Sequence, residues 1–374
     1  MNWWFGRKSA PEGRGFVPSF LRGDETAVGF AQGYAAQLDE VYRRNPVGQR
    51  AVRLVAGMVG GLPVYAADGR DDIVALVTRA GLLEEVAAGL LLHGNAYVQL
   101  IADGRDRPAE LHALRPERVS VATDAAGWPA AYVYRAGAAK AARISGRDPL
   151  GRRQVTHVRA LNPSDDHYGM GCLDAAIGAA SVHNRAAKWN KALLDNAARP
   201  SGALMYEPGD GAGLGNEQYE RLKTELAEQF SGSSNAGRPL LLEGGLKWQA
   251  LSLTPADMDF VRLKEGAARD IALAFGVPPV LIGLPGDATY ANAREAGRAL
   301  YRQTVLPLAG RILNGLSAML SDWVGDIRLE IDTDQITELA EDRAYLWAQV
   351  GAADCLTRDE KRGMLGFAPE GEMQ

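Results

Sequence analysis

The sequence predicts an α+β protein built in more than one part, and three observations predict it. Short strand-like runs punctuated by Gly and Pro crowd residues 60–161. Apolar patterns of helical period and more than twenty residues follow them. Between two of those long helices lies a glycine-rich insert, residues 200–254. The chain of 374 residues is long enough for a large core and more than one domain. Its 47% hydrophobic and 23% charged residues fall in the ordinary globular range, which excludes collagen-like, mucin-like and wholly disordered classes.

Each element has a local reason. Residues 47–59 place Val47, Ala51, Leu54, Val55 and Met58 on one helical face, with Gly60 and Gly61 as the stop. LPVYAA then alternates as a strand does. A second unit repeats the order: helix from Leu82 to His93, a break at Gly94 and Asn95, strand from Ala96 to Ala102. ELHAL, RVSVAT, AYVYRA and QVTHVRAL read as further short strands, punctuated by Pro116 and Gly127-Trp128-Pro129. A long helix spans about Gly171 to Ala198, some 40 Å at 1.5 Å per residue, and ends at Pro200 and Gly202.

In the insert, ALMYE is a strand and Asn216 caps a helix running to about Phe230. PLLLEGG and LKWQALSL form a hairpin. Thr254 and Pro255 open the next long helix, which reaches Phe275 and stops at Pro278-Pro279. After a loop, a third long helix covers Ala291 to about Leu320, with a kink expected at Pro307. IRLEID is a strand, TELAEDRAYLWAQV a helix, and Thr357 to Glu360 a capping box.

Charge is distributed unevenly. Residues 322–374 hold 13 acidic and 5 basic side chains, and the preceding 321 hold 33 and 36. An acidic end thus follows a nearly neutral body, without the basic stripe of a tight nucleic-acid binder. The strongest apolar run, Val86 to Leu92, is far below the roughly 20 residues of a membrane helix. The N-terminus has no apolar h-region, and two distant cysteines, Cys172 and Cys355, make no disulfide framework. A reducing intracellular setting fits them.

Catalytic signatures are sparse. No phosphate-cradling G-x-x-x-x-G-K-[ST] or zinc-binding H-E-x-x-H occurs. The alternating Gly209, Gly211, Gly213 and Gly215 lack dinucleotide-binding spacing, and the serine near Gly232 lacks a nucleophile-elbow context. One polar cluster, Asp165-Asp166-His167, has residue types suited to metal binding or acid–base work. Adjacent residues on a turn do not all face one ion, so turn formation or helix capping competes with that use. No catalytic, cofactor or metal site is assigned. A cytosolic α+β enzyme using those three residues stands as the alternative reading.

An ordered series of motifs resembles the short portal proteins of tailed bacteriophages, prophages and gene transfer agents. LLLHGNAYVQL (90–100), VTHVRAL followed by YGMGCLDAA (168–176), and NAGRPLLLEGGLKWQALSLTPADMDF (235–260) carry it. DIALAFGVPPVLIG (270–283) with DATYANAREA (287–296) and LTRDEKRGMLGFAP (356–369) complete it. The succession, over about 45–370, is more specific than any one motif.

The resemblance implies a portal-type fold in a closed cyclic ring of twelve. Residues 1–24 would be an N-terminal arm, with Trp3, Trp4 and Phe5 against a neighbouring subunit. Residues 25–170 would form an α+β wing, 171–199 a stem helix, and 200–254 a clip. Residues 255–283 would be the second stem helix and Pro-rich turn, 291–322 a long kinked wing helix, and 323–374 a small acidic crown. Clip residues Asn216, Tyr219, Arg221, Lys223, Arg238 and Trp248 would dock the motor and connector. Leu284, Pro285, Gly286, Asp287, Ala288, Thr289 and Tyr290 would be the tunnel loop.

Implied partners are further copies of the chain, the major capsid protein, the terminase large subunit, a head–tail adaptor and double-stranded DNA passing without sequence preference. No cofactor and no membrane are implied. The implied place is the portal vertex of a virion or virus-like particle, reached through the bacterial cytoplasm. Residues 255–300 hold six acidic and five basic side chains, a balanced lining that does not grip phosphates. Another ring-forming head–tail connector is a further alternative.

Overall fold

The computed structural model describes residues 33–137, 141–195, 202–206, 217, 220–221, 224, 246–250, 260–284 and 289–367. Its contacts divide into two units: residues 1–177 with 272–374, and residues 178–271.

The first unit opens with α1 (Tyr34–Leu38) and a π-turn, then α2 (Pro46–Gly60). Buried Asn45 caps α2, its side-chain oxygen accepting the Val47 and Gly48 N–H groups at 3.0 Å each, and Pro46 fits the first turn. The buried stripe is Gly48, Ala51, Val52, Val55, Ala56 and Val59; of the face read from the spacing, Ala51 and Val55 lie in it, while Val47, Leu54 and Met58 are half-buried at its edge.

Strand β1 (Val64–Ala66) follows, then α3 (Asp71–Thr78) and α4 (Leu82–His93). Gly94, at φ 78°, ends α4 in the left-handed region where glycine carries no Cβ penalty. The chain turns directly into β2 (Asn95–Ala102), the centre of an antiparallel sheet with β3 (Pro108–Leu114) on one side and β7 (Val155–Arg159) on the other. A second antiparallel sheet orders β4 (Val119–Thr123), β5 (Pro129–Tyr134) and β6 (Ala142–Ser145). Tyr97, Val119, Tyr132 and Val155 fill a core that draws on both sheets.

The predicted single helix from Ala291 to Leu320 is not uniform, and its break is not a simple kink at Pro307. It consists of α7 (Tyr290–Leu300), a π-turn at Tyr301–Val305 and α8 (Leu306–Val324). A proline lacks the N–H that an α-helix needs and crowds the carbonyl four residues back. Widening the turn just before Pro307 relieves that crowding without leaving helical backbone angles. Helix α8 then lies on β7 at close range. A Cβ on Gly315 would meet Val158 Cγ2 at 2.8 Å, and Thr156 donates its hydroxyl to the Gly315 carbonyl at 3.0 Å.

Strand β10 (Leu329–Ile331) returns to pair antiparallel with β1, setting Tyr65 opposite Glu330, and the tyrosine hydroxyl donates to that carboxylate at 2.7 Å. Helices α9 (Ala340–Ala352) and α10 (Arg358–Met364) end the described chain. The Thr357 capping box is present: Glu360 N–H donates to Thr357 Oγ1 at 3.3 Å, and Thr357 N–H to Glu360 Oε2 at 2.8 Å. Thr357→Ala should cost about 1 kcal/mol, as faster amide exchange across 358–364 with little change in global melting. Unchanged exchange there would contradict the cap's role.

In the second unit, α5 (Leu173–Asp195) and α6 (Phe260–Ala274) are long helices that cross its boundary. Strands β8 (Gly202–Tyr206) and β9 (Leu246–Ala250) pair antiparallel, Leu204 opposite Trp248. The sequence pairs LKWQALSL with PLLLEGG; PLLLEGG lies outside the described residues, and the pairing that is described is with GALMY.

Candidate functional site

The Asp165–His167 cluster forms a turn. Asp165 Oδ1 accepts the backbone N–H groups of His167 and Tyr168 at 2.8 and 2.9 Å. Arg159 donates to the Asp166 carbonyl. A side-chain oxygen taken up by two amides is an Asx-type lock on local backbone. Among the described residues, no group of three or more His, Cys, Asp or Glu is placed to hold a metal ion. A cleft of about 900 Å³ borders this turn, with Trp128, Arg153, Arg159 and His167 on its walls. Its arginines are committed elsewhere: Arg153 donates to the Ala318 carbonyl and pairs with Asp322. The Cys172 thiol is pushed up to about 11 by burial, which keeps it protonated and poorly nucleophilic.

What the turn does is bring two distant motifs together. Gly169 follows it, and Asn95, fully buried, grips that glycine from both sides. Asn95 Oδ1 accepts the Gly169 N–H at 2.7 Å, and Asn95 Nδ2 donates to the Gly169 carbonyl at 3.0 Å. The same amide donates to the His93 carbonyl at 3.2 Å. His157 Nε2 lies 2.9 Å from Asn95 Oδ1 and must be its protonated nitrogen, since that oxygen only accepts. Backbone bonds flank the amide on both sides: Ala160 N–H to Gly94 O and Cys172 N–H to Leu91 O, each 2.8 Å. HGNAY and YGMGC are thus one structural joint. Sequence reasoning treats Asn95 only as a helix breaker, because its partner is 74 residues away.

Burial also sets the charge of the two histidines at this joint. His93 is pushed down to about 4, chiefly by burial. His157 is pushed down to about 3, by burial first and then by Arg159, His93 and His167. Both rings are neutral at pH 7, and His157 stacks on Tyr97 at 4.2 Å. They are core histidines.

The loop 284–290 is partly described. A short 3-10 turn, Pro279–Ile282, precedes it, and Gly283 adopts φ 78°. Pro285, Gly286, Asp287 and Ala288 lie outside the described residues. Thr289 caps α7, its hydroxyl accepting the Asn292 N–H at 3.2 Å, and Tyr290 is 85% exposed. Helix α7 carries Arg294 and Arg298 four residues apart on one face, and the π-turn that follows carries Arg302. Arg294 meets Glu341 at 2.7 Å, Arg298 pairs with Glu341 and Glu295, and Arg302 with Asp342. This ladder ties the helix behind the loop to α9. The four-residue spacing is legible in the sequence, though the acidic partners are not.

Of the insert residues, Arg221 is helical and exposed, and Trp248 is in β9. Asn216, Tyr219, Lys223 and Arg238 lie outside the described residues, as do Trp3, Trp4 and Phe5. Apolar side chains stand exposed on both long helices: Val182 and Trp189 on α5, Val261, Leu263 and Leu273 on α6. No described helix is long and apolar enough to cross a membrane.

Comparison with known proteins places this fold. Residues 46–366 match the family model described as "Phage portal protein". An uncharacterized protein of Rickettsia bellii is 38% identical over 364 residues, 93% of each chain. A chain of a gene transfer agent particle is 44% identical, with TM-score 0.70 over 90% of this chain and 94% of its own. The same likeness holds to the neck of the native particle, computed with C12 symmetry. An HK97-family phage portal protein from Corynebacterium diphtheriae, 18% identical, shares the fold at TM-score 0.55.

Proposed function

Since the chain belongs to the phage portal protein family, we propose that it works as a non-enzymatic ring of twelve subunits at one vertex of a phage-like particle. The observation that carries this is the 44% identity, over nine-tenths of the chain, to the gene transfer agent particle whose neck was computed with C12 symmetry. DNA passes through the ring during packaging and leaves by the same channel. The terminase large subunit docks at the clip, 200–254, and a head–tail adaptor replaces it; the major capsid protein surrounds the ring.

Physical features of the chain fit that work. A head-to-tail contact between identical subunits closes when its rotation closes. The apolar residues exposed on α5 and α6 supply surface for such a contact, since large apolar patches mark association. The stem lining and loop, residues 255–300, are nearly charge-balanced, so DNA slides past phosphates that are not neutralised. The loop 284–290 ends in exposed Tyr290, an aromatic face available to a passing duplex. With no phosphate-binding loop in its sequence, the chain leaves ATP hydrolysis to a separate motor.

The test is mass and shape together. Light scattering of the purified protein should give about 480 kDa, twelve times the 40.0 kDa chain, and negative-stain images of that peak a central hole. His167→Ala should leave both unchanged. A monomer or dimer at high concentration, still small when mixed with the capsid protein, would sink the ring.

A further inference from the structure

A groove of about 690 Å³ with a mixed polar and apolar lining lies where β10, α9 and α10 meet, and its walls are left half-open to solvent. Trp347 and Phe367 stand edge to face at 5.9 Å, with Leu346, Met364 and Tyr65 beside them. These five are between 41% and 55% exposed, an unusual concentration of large apolar side chains in one place. Asp332, Asp334 and Asp342 rim the groove, in the segment 322–374 that holds 13 acidic and 5 basic residues. Arg343 pairs with Asp334 and Arg302 with Asp342, which leaves Asp332 without an arginine among the described residues. An occupant matched to this surface is aromatic, and the excess of acid over 322–374 favours a positively charged segment.

The same chain contains such a segment. Trp3-Trp4-Phe5 is followed by Arg7 and Lys8, and residues 1–23 carry four cationic side chains and one acid. We propose that this N-terminal segment docks in the groove, Trp3, Trp4 and Phe5 against Trp347, Met364 and Phe367, with Arg7 and Lys8 toward Asp332. Each aromatic side chain brings a large apolar area, thioether contacts with rings are favourable, and the opposite net charges steer the encounter. Reach is ample. The 28 residues between Trp4 and Gly33 span about 100 Å extended and about 30 Å as a coil. The proposal concerns two parts of one chain and does not rest on the ring or its number.

The full-length chain tests it. In a Cys172→Ala, Cys355→Ser background, Gly6→Cys is combined with Thr333→Cys on the groove rim, or with Trp128→Cys, 72% exposed and outside the groove lining. Mild oxidation should link position 6 to position 333 about tenfold faster than to position 128, the local-concentration advantage of a docked segment. Trp3→Ser with Trp4→Ser should erase that advantage while leaving the oligomer's mass unchanged. An internally linked single chain would show docking on the chain's own groove, and linked dimers docking on a neighbour's; either supports the proposal. Equal rates at 333 and 128, or an advantage that survives the double serine variant, would overturn it. The oligomer's mass, read separately, keeps failure of the ring distinct from failure of docking.

Discussion

Gly169→Ala should yield no stably folded subunit. A Cβ there would sit 2.0 Å from the Gly94 carbonyl oxygen, 2.7 Å from Ala160 N and 2.8 Å from Ala160 O. All three are backbone atoms held by neighbouring hydrogen bonds, so none yields as the tip of a long side chain does. Moving the turn away breaks both Asn95 bonds and strands a buried amide, which alone costs about 1–3 kcal/mol per unmade partner. The total exceeds about 4 kcal/mol, a large share of a typical domain's stability. Gly57→Ala is the matched control: it sits inside α2 with nothing within 4 Å of the added carbon. It should stabilise by about 0.5–1 kcal/mol. Thermal melts of both variants decide the matter, and a Gly169→Ala melt within about 1 kcal/mol of the parent would refute the joint.

Acid should unfold the protein through its two core histidines. In the unfolded chain each titrates near 6.5, whereas in the fold His93 waits until about 4 and His157 until about 3. Above pH 6.5 both states are neutral and stability is fully present. Between 6.5 and 4 the unfolded chain binds protons that the folded chain refuses, so stability falls with pH. Each histidine contributes up to about tenfold in the folded-to-unfolded ratio per pH unit. The joint loss between pH 6.5 and 4.5 is on the order of a thousandfold or more. Denaturant melts across that range should show the slope, and His157→Gln should make it shallower by nearly tenfold per unit. Equal slopes for the parent and His157→Gln would rule the mechanism out.

Locally signalled elements were legible. The extent of α2, the Gly94 stop of α4 and the Thr357 capping box each follow from residues a few positions apart. Pairings over long separations were not. Nothing near Val64 names β10 as its partner, 265 residues on, and nothing near Asn95 names Gly169. Short α3 and β6 escaped because eight and four residues carry little periodic signal. For the site, the order of motifs pointed to the family. Composition supplied only its exclusions. The Asp165–His167 cluster illustrates the reverse error: reactive residue types side by side in sequence, used in the fold to shape a turn that Asn95 then holds.

The wide turn at 301–305 has a consequence for what one helix accomplishes. An α-helix advances about 100° per residue, so one extra residue in a turn resets the azimuth of everything beyond it. Before it, Arg294 and Arg298 face the acids of α9; after it, Ile312, Leu316 and Leu320 face the buried interior. Without the offset, a rod committed to the core at one end would aim its arginines about a quarter-turn astray at the other. The widened turn works as a phase shifter, letting a single continuous rod present two unrelated stripes to two different neighbours.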